Sequence, residues 1–284
     1  MSRLTASQSR DCEGGAYLRA RVLLALCLAL PLAGAAVDGA KVHWTSAGDA
    51  HRLAVVFVHG WTCDETSWQN QVPVVSKVYR AITLDLPGHG RSDPPADGRF
   101  TLDLFARAIE AVREEAKADR VVLVGHSMGV GVVRHYARLF PARTVALVLV
   151  DGALLTEAEA ASRAGFAQRM GGPDGRRYRE QVIQTMFSSA TTPEEKRHIL
   201  TMMMAAPEAT AVGAMHVMLE PAATDDYALR VPALGIFTNP ESAYMSRLFP
   251  LLDYHQVSGS GHFIMMDKPE EFNRLLLEFL EKQK

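Results

Sequence analysis

Uninterrupted apolar blocks alternate along this chain with segments whose apolar positions recur every three or four residues. Residues 53–58 (Leu-Ala-Val-Val-Phe-Val), 121–124 (Val-Val-Leu-Val) and 145–150 (Val-Ala-Leu-Val-Leu-Val) are short, continuous and rich in β-branched side chains. Such runs predict strands covered on both faces, as in a parallel sheet sandwiched between helices. Residues 41–45, 79–85, 233–238 and 254–257 complete the set of predicted strands. Between them, residues 100–117 place Leu104, Ala108 and Val112 on one helical face. Residues 67–77, 130–140, 242–249 and 269–281 also read as helices. Strand and helix in alternation predict an α/β architecture.

From residue 153 to about 230 the alternation stops. Helical stretches at 157–170, 178–188, 193–205 and 209–219 are separated by marks such as Gly171-Gly172-Pro173, Thr192-Pro193, Ala206-Pro207 and Glu220-Pro221. Met202, Met203, Met204, Met215 and Met218 fall in this segment. They suit either a plain helical core or the adaptable wall of an apolar pocket.

The candidate chemistry sits where strands end. Residues 121–131 read strand, sharp turn, helix, with Gly125-His126-Ser127-Met128-Gly129 at the turn. A serine there stands clear of the sheet only if its backbone enters a strained region, φ above zero, and only if its neighbours two positions away are small. The turn also aims the unpaired first amides of the helix at the serine. The plainer reading is a glycine-rich turn with an incidental serine. Residues 53–58 end in His59-Gly60-Trp61, at the sheet edge where open α/β sheets bind ligands. The Trp61 and Met128 amides are the candidate oxyanion hole, against a reading of Trp61 as a packed turn residue. Asp85-Leu86-Pro87-Gly88-His89-Gly90-Arg91-Ser92-Asp93 is a loop whose His89 and Asp93 read as structural.

Composition narrows the picture a little. The chain has 284 residues, 48% hydrophobic and 22% charged, with a formal charge of −2, which gives no reason to expect a nucleic-acid partner. Arg3, Arg10, Arg19 and Arg21 precede an apolar run, 22–36, ending Ala33-Gly34-Ala35-Ala36. This reads as a signal peptide over 1–36, hence an exported protein without stable membrane insertion of its mature chain. Of three cysteines only Cys63 lies beyond the leader, so no internal disulfide is possible, and Cys63 reads as packing.

His-Gly-Trp after one strand, Asp-Leu-Pro-Gly-His-Gly-Arg-Ser-Asp after the next, Gly-His-Ser-Met-Gly after the third and a late Gly261-His262-Phe263 together resemble the α/β-hydrolase fold superfamily from about residue 41 onward. The resemblance implies a mostly parallel central sheet flanked by helices, with a helical cap inserted after the family's sixth strand. The domains are then a core in two parts, 37–152 and 231–284, and a cap over 153–230. It also implies that Ser127 is the nucleophile and His262 its base. The family's acid usually follows the seventh strand in a Gly-x-x-Asp phrase, which here reads Thr238-Asn239-Pro240-Glu241-Ser242. Asp151, directly after the sixth strand, is the favoured acid and Glu241 the competitor. The expected function is a serine hydrolase cleaving a small or medium apolar carboxylic ester, with neither metal nor organic cofactor. A C–C hydrolase of a vinylogous diketone on the same triad, or a non-catalytic receptor on the same scaffold, is the alternative.

Overall fold

A seven-stranded sheet organises the molecule, a computed structural model that describes residues 34–48, 53–152 and 154–283. Its strands are β3 (Trp44–Ala47), β4 (Leu53–Val58), β5 (Arg80–Leu84), β6 (Arg120–His126), β7 (Thr144–Val150), β8 (Ala233–Phe237) and β9 (Leu252–Gln256). They lie in the order β3-β5-β4-β6-β7-β8-β9, with β3 antiparallel to β5 and every other pair parallel. Residues 54–58, 121–126 and 146–150 are all buried, as strands covered on both faces require.

Before the sheet, β1 (Ala36–Val37) and β2 (Ala40–Lys41) form a small antiparallel hairpin. Residues 1–33, most of the segment read as a leader, lie outside the described residues. Ala36, the last residue of that reading, pairs with Lys41 in the hairpin. Among the described residues no helix is long and apolar enough to cross a membrane.

The expected helix over 67–77 is instead a 3₁₀ turn, Glu65–Trp68, and one turn of helix, α1 (Val72–Val75). Pro73 lies in the first turn of α1, where its missing N–H costs no hydrogen bond, so the helix starts afresh there. Helix α2 (Leu102–Glu115) is capped by Thr101 Oγ1, which accepts from the Leu104 amide. Helix α3 (Met128–Leu139) leaves the Ser127 turn and packs on α2, β6 and β7.

Among the described residues six helices separate β7 from β8: α4 (Glu157–Ser162), α5 (Ala164–Gln168), α6 (Gly175–Gln184), α7 (Pro193–Ala205), α8 (Glu208–Val217) and α9 (Pro221–Thr224). The single helix expected over 157–170 breaks at Arg163, whose φ −100 and ψ 4 depart from helical values. Capping boxes at Thr156/Glu159 and Thr192/Glu195 start α4 and α7. Side chains tie this cap to the core. Trp61 Nε1–H donates to the Ala211 carbonyl at 2.7 Å, and Thr210 Oγ1–H to the Gly88 carbonyl at 2.9 Å. Buried Arg134 of α3 bonds Asp225 Oδ1 at 2.6 Å, just beyond α9. The chain closes with α10 (Ala243–Leu248) between β8 and β9, α11 (Ile264–Asp267), and α12 (Pro269–Glu281) packed on α1 and β8.

Candidate active site

Ser127 sits between β6 and α3 with φ 54 and ψ −116, a conformation that L-residues adopt only under strain. Its amide donates to the Val150 carbonyl of β7 at 2.9 Å, which holds the turn against the sheet. The two flanking glycines are demanded by space. A Cβ on Gly125 would lie 2.4 Å from the Gly129 carbonyl oxygen, and one on Gly129 would lie 2.6 Å from that of Val58. Both obstacles are backbone and cannot swing aside.

The first residue after the turn, Met128, opens α3, so its N–H lies outside the helical ladder. The Trp61 amide likewise has no acceptor among the described residues. Gly60 brings that loop hard against the nucleophile, since a Cβ there would lie 3.0 Å from Ser127 Cβ. The next loop is joined to it through His59. The His59 Nδ1–H donates to the Gly60 carbonyl at 2.8 Å, and Nε2 accepts from the Leu86 amide at 2.9 Å. His89 is buried beside it, its Nδ1–H donating to the Pro87 carbonyl, while Asp93 accepts from the Lys41 amide. These contacts are those of structural residues.

His262 comes from the loop after β9, and its main chain is gripped at both ends. Its amide donates to the Met186 carbonyl of the cap at 2.8 Å, and its carbonyl accepts from His126 Nε2–H at 2.9 Å. Its Nδ1–H donates to Asp151 Oδ2 at 2.7 Å. Asp151 Oδ1 in turn accepts from both the amide and the hydroxyl of Thr238, each at 2.9 Å. Burial pushes the Asp151 pKa up, but His262 and the two Thr238 donors outweigh it and hold the carboxyl below its ordinary range. Glu241 is exposed and accepts from Ser246 Oγ at 2.7 Å, away from His262. By sequence Thr238 reads only as the end of a strand and His126 only as a residue of the serine turn. No local pattern marks either as a partner of residues more than eighty positions away.

Ser127, Asp151, His262 and Trp61 share the wall of one cavity of about 590 Å³. Among the described residues no hydrogen bond joins Ser127 Oγ to His262 Nε2. Contacts of this kind are commonly long in unliganded enzymes and shorten when substrate binds. The rest of the wall is mainly apolar and includes Leu154, Phe166, Val182, Met218 and Phe237. The methionines divide by position. Met215 and Met218 line this cavity, whereas Met202 and Met203 do not. Cys63 is buried, and burial raises its thiol to about 12, so it stays protonated and a poor nucleophile. Among the described residues no cluster of three His, Cys, Asp or Glu could hold a metal ion.

Comparison with known proteins agrees with this architecture. The profile of the α/β-hydrolase fold matches residues 54–229. A non-heme chloroperoxidase of Streptomyces lividans is 39% identical over 116 residues, 40% of this chain and 42% of that protein. A 2-hydroxy-6-oxononadienedioate/2-hydroxy-6-oxononatrienedioate hydrolase of Dechloromonas aromatica is 26% identical over 271 residues, covering 84% of this chain and 90% of its own. Among solved structures, a thermophilic esterase from Thermogutta terrifontis superposes with a TM-score of 0.76 at 26% identity, over 88% of this chain and 97% of the other. A sheet with this strand order, a strained serine between β6 and α3 and a cap after β7, the family's sixth strand, place the chain in the α/β-hydrolase fold family.

Proposed function

We propose that the protein is a carboxylesterase working through an acyl-enzyme on small or medium apolar esters. The observation that carries this reading is the Asp151–His262 hydrogen bond at the wall of an apolar cavity that Ser127 also lines. Ser127 Oγ attacks the ester carbonyl while His262 Nε2 takes its proton, and Asp151 holds the ring so that Nε2 is the free acceptor. The Trp61 and Met128 amides donate to the carbonyl oxygen as it becomes an oxyanion. His262 then returns the proton to the leaving alcohol, and water releases the acid. The apolar wall of Leu154, Phe166 and Val182 favours a hydrocarbon acyl or alcohol group over a sugar or phosphate.

Purified protein assayed with p-nitrophenyl esters of increasing acyl length tests this. Turnover that disappears in Ser127→Ala, together with fluorophosphonate labelling confined to Ser127, supports it; no labelling would favour a receptor. Arg163 also lines the cavity. Beside the Dechloromonas relative, whose name specifies a dioate, that cation favours C–C cleavage of an acidic diketone as the second reading. Parallel ester and diketone assays separate the two. Export through a leader over residues 1–36 belongs to the same proposal, and N-terminal sequencing of the protein recovered from outside the cytoplasm tests it.

A further inference from the structure

Behind the nucleophile lies a second cavity, of about 10 Å³, room for one water molecule. It shares Trp61, Ser127, Met186 and His262 with the large cavity, while Gly60, Cys63, His126, Met203 and Phe263 line only the small one. A substrate filling the large cavity therefore leaves this space free.

One polar atom beside it is unaccounted for. His126 is fully buried, and its Nδ1 has no hydrogen-bond partner among the described residues. The ring's protonation follows from its other nitrogen. Nε2 faces the His262 carbonyl, which can only accept, so Nε2 carries the hydrogen and Nδ1 of the neutral ring is a bare acceptor. Burial first, and the neighbouring His262 second, lower the His126 pKa to about 3, so the ring stays neutral near neutrality. Nδ1 lies close beside Gly60, on the side that faces Ser127. A methyl built there would lie 3.2 Å from Nδ1 and 3.0 Å from Ser127 Cβ. An unpaired buried acceptor of this kind is costly, and a bridging water would recover the lost hydrogen bond.

We propose that this cavity seats the water that hydrolyses the acyl-enzyme, held by His126 Nδ1 and His262 Nε2. The inference rests on the esterase reading above. With one hydrogen donated to each imidazole, the water turns its lone pairs toward the acyl carbon on Ser127. Its oxygen bonds to that carbon as its proton passes to His262 Nε2. The tetrahedral intermediate then collapses, the carbon–Oγ bond breaks, and His262 returns the proton to Ser127 Oγ as the acid leaves. His126 moves no proton. Its part is to hold the water, and its Nε2–H holds the His262 loop.

The two nitrogens are separable. In His126→Gln the longer amide can still donate to the His262 carbonyl while the acceptor at the Nδ1 position is lost. Stopped-flow burst kinetics with p-nitrophenyl butyrate read acylation and deacylation apart. In this variant the burst rate is expected to stay within about threefold of wild type while steady-state turnover falls about tenfold or more, the loss of one hydrogen bond at a reacting atom. Acyl-enzyme should then accumulate in intact-mass spectra, and a high-resolution crystal structure of the wild type should show an ordered water on Nδ1. Parallel loss of both steps, or a well-ordered site without that water, overturns the proposal. If His126→Gln does not fold, the wild-type crystal structure decides. A wild type that forms no acyl-enzyme at Ser127 is a different outcome, the failure of the esterase reading itself.

Discussion

Asp151 and His262 are 111 residues apart in sequence, yet Nδ1–H and Oδ2 meet at 2.7 Å, and the carboxylate's other oxygen is taken up by Thr238. The carboxylate is thus oriented by two elements, β7 and the end of β8, before it orients the ring. A residue at φ 40 directly after a buried strand makes this possible, because the chain turns sharply at the sheet edge and delivers the side chain to the neighbouring loop.

Replacing that carboxylate should therefore be severe. Asp151→Asn offers His262 an amide that can present the wrong group to Nδ1, and kcat/KM for an ester is expected to fall about 10³–10⁴-fold. Glu241→Gln, at an exposed residue whose carboxylate accepts from Ser246, should stay within about twofold of wild type, in the ordinary range for exposed substitutions. Steady-state kinetics of the two variants side by side test the assignment of the acid.

Thr238 is expected to act only through Asp151. Thr238→Val removes the hydroxyl donor and keeps both the amide donor and the side-chain shape. One hydrogen bond to a charged group corresponds to about 1.5–3 kcal/mol at most, so kcat should fall about tenfold with KM little changed. A change confined to KM would place Thr238 in substrate binding instead.

Stability should fall on acidification well before the carboxylates titrate. His59, His89 and His126 are buried neutral, each held below the ordinary histidine value first by desolvation, and His89 and His126 reach about 3. In the unfolded chain they protonate near 6.5, so between about 6.5 and 3 unfolding takes up protons and becomes easier. Each group contributes a slope of up to about 1.4 kcal/mol per pH unit over that window. As the pH falls below the ordinary aspartate value of 3.8, Asp151 adds to the loss, since its lowered pKa stabilises the fold only while it remains ionised. Urea unfolding from pH 7.5 to 4.5 should show a steadily falling midpoint, and His89→Gln should flatten the slope. A midpoint flat over that range would mean that these rings titrate normally.

Gly129→Ala should cost more than an ordinary small-to-large change. The new methyl meets the Val58 and His59 carbonyl oxygens at 2.6 and 2.8 Å, and both belong to the strand end that carries the His59-Gly60-Trp61 turn. Overpacking against side chains costs about 1–3 kcal/mol; against backbone the cost should reach the top of that range or exceed it. Thermal unfolding measures it, and a shift within error would show that the elbow has room.

Much of the fold was legible along the chain because its signals are local. A strand buried on both faces must be apolar throughout, so residues 53–58, 121–124 and 145–150 announced themselves, and the glycines at 125 and 129 marked a turn with no room for a Cβ. Helix ends were less legible. The break at Arg163 and the restart at Val72 depend on how the cap and the first crossover pack, which spacing alone does not encode.

What the order of residues determined by itself was the menu: a parallel sheet, a serine at a strained turn, a histidine in a late loop and two carboxylates that could serve it. Only the tertiary structure brought Asp151 onto His262, turned Glu241 toward Ser246, set Thr238 behind the carboxylate and left His126 Nδ1 beside a one-water cavity. The physical reason is range. Hydrophobic period and backbone strain act over a few residues, whereas a hydrogen bond between side chains a hundred positions apart exists only once the strand order has set their loops at the same sheet edge.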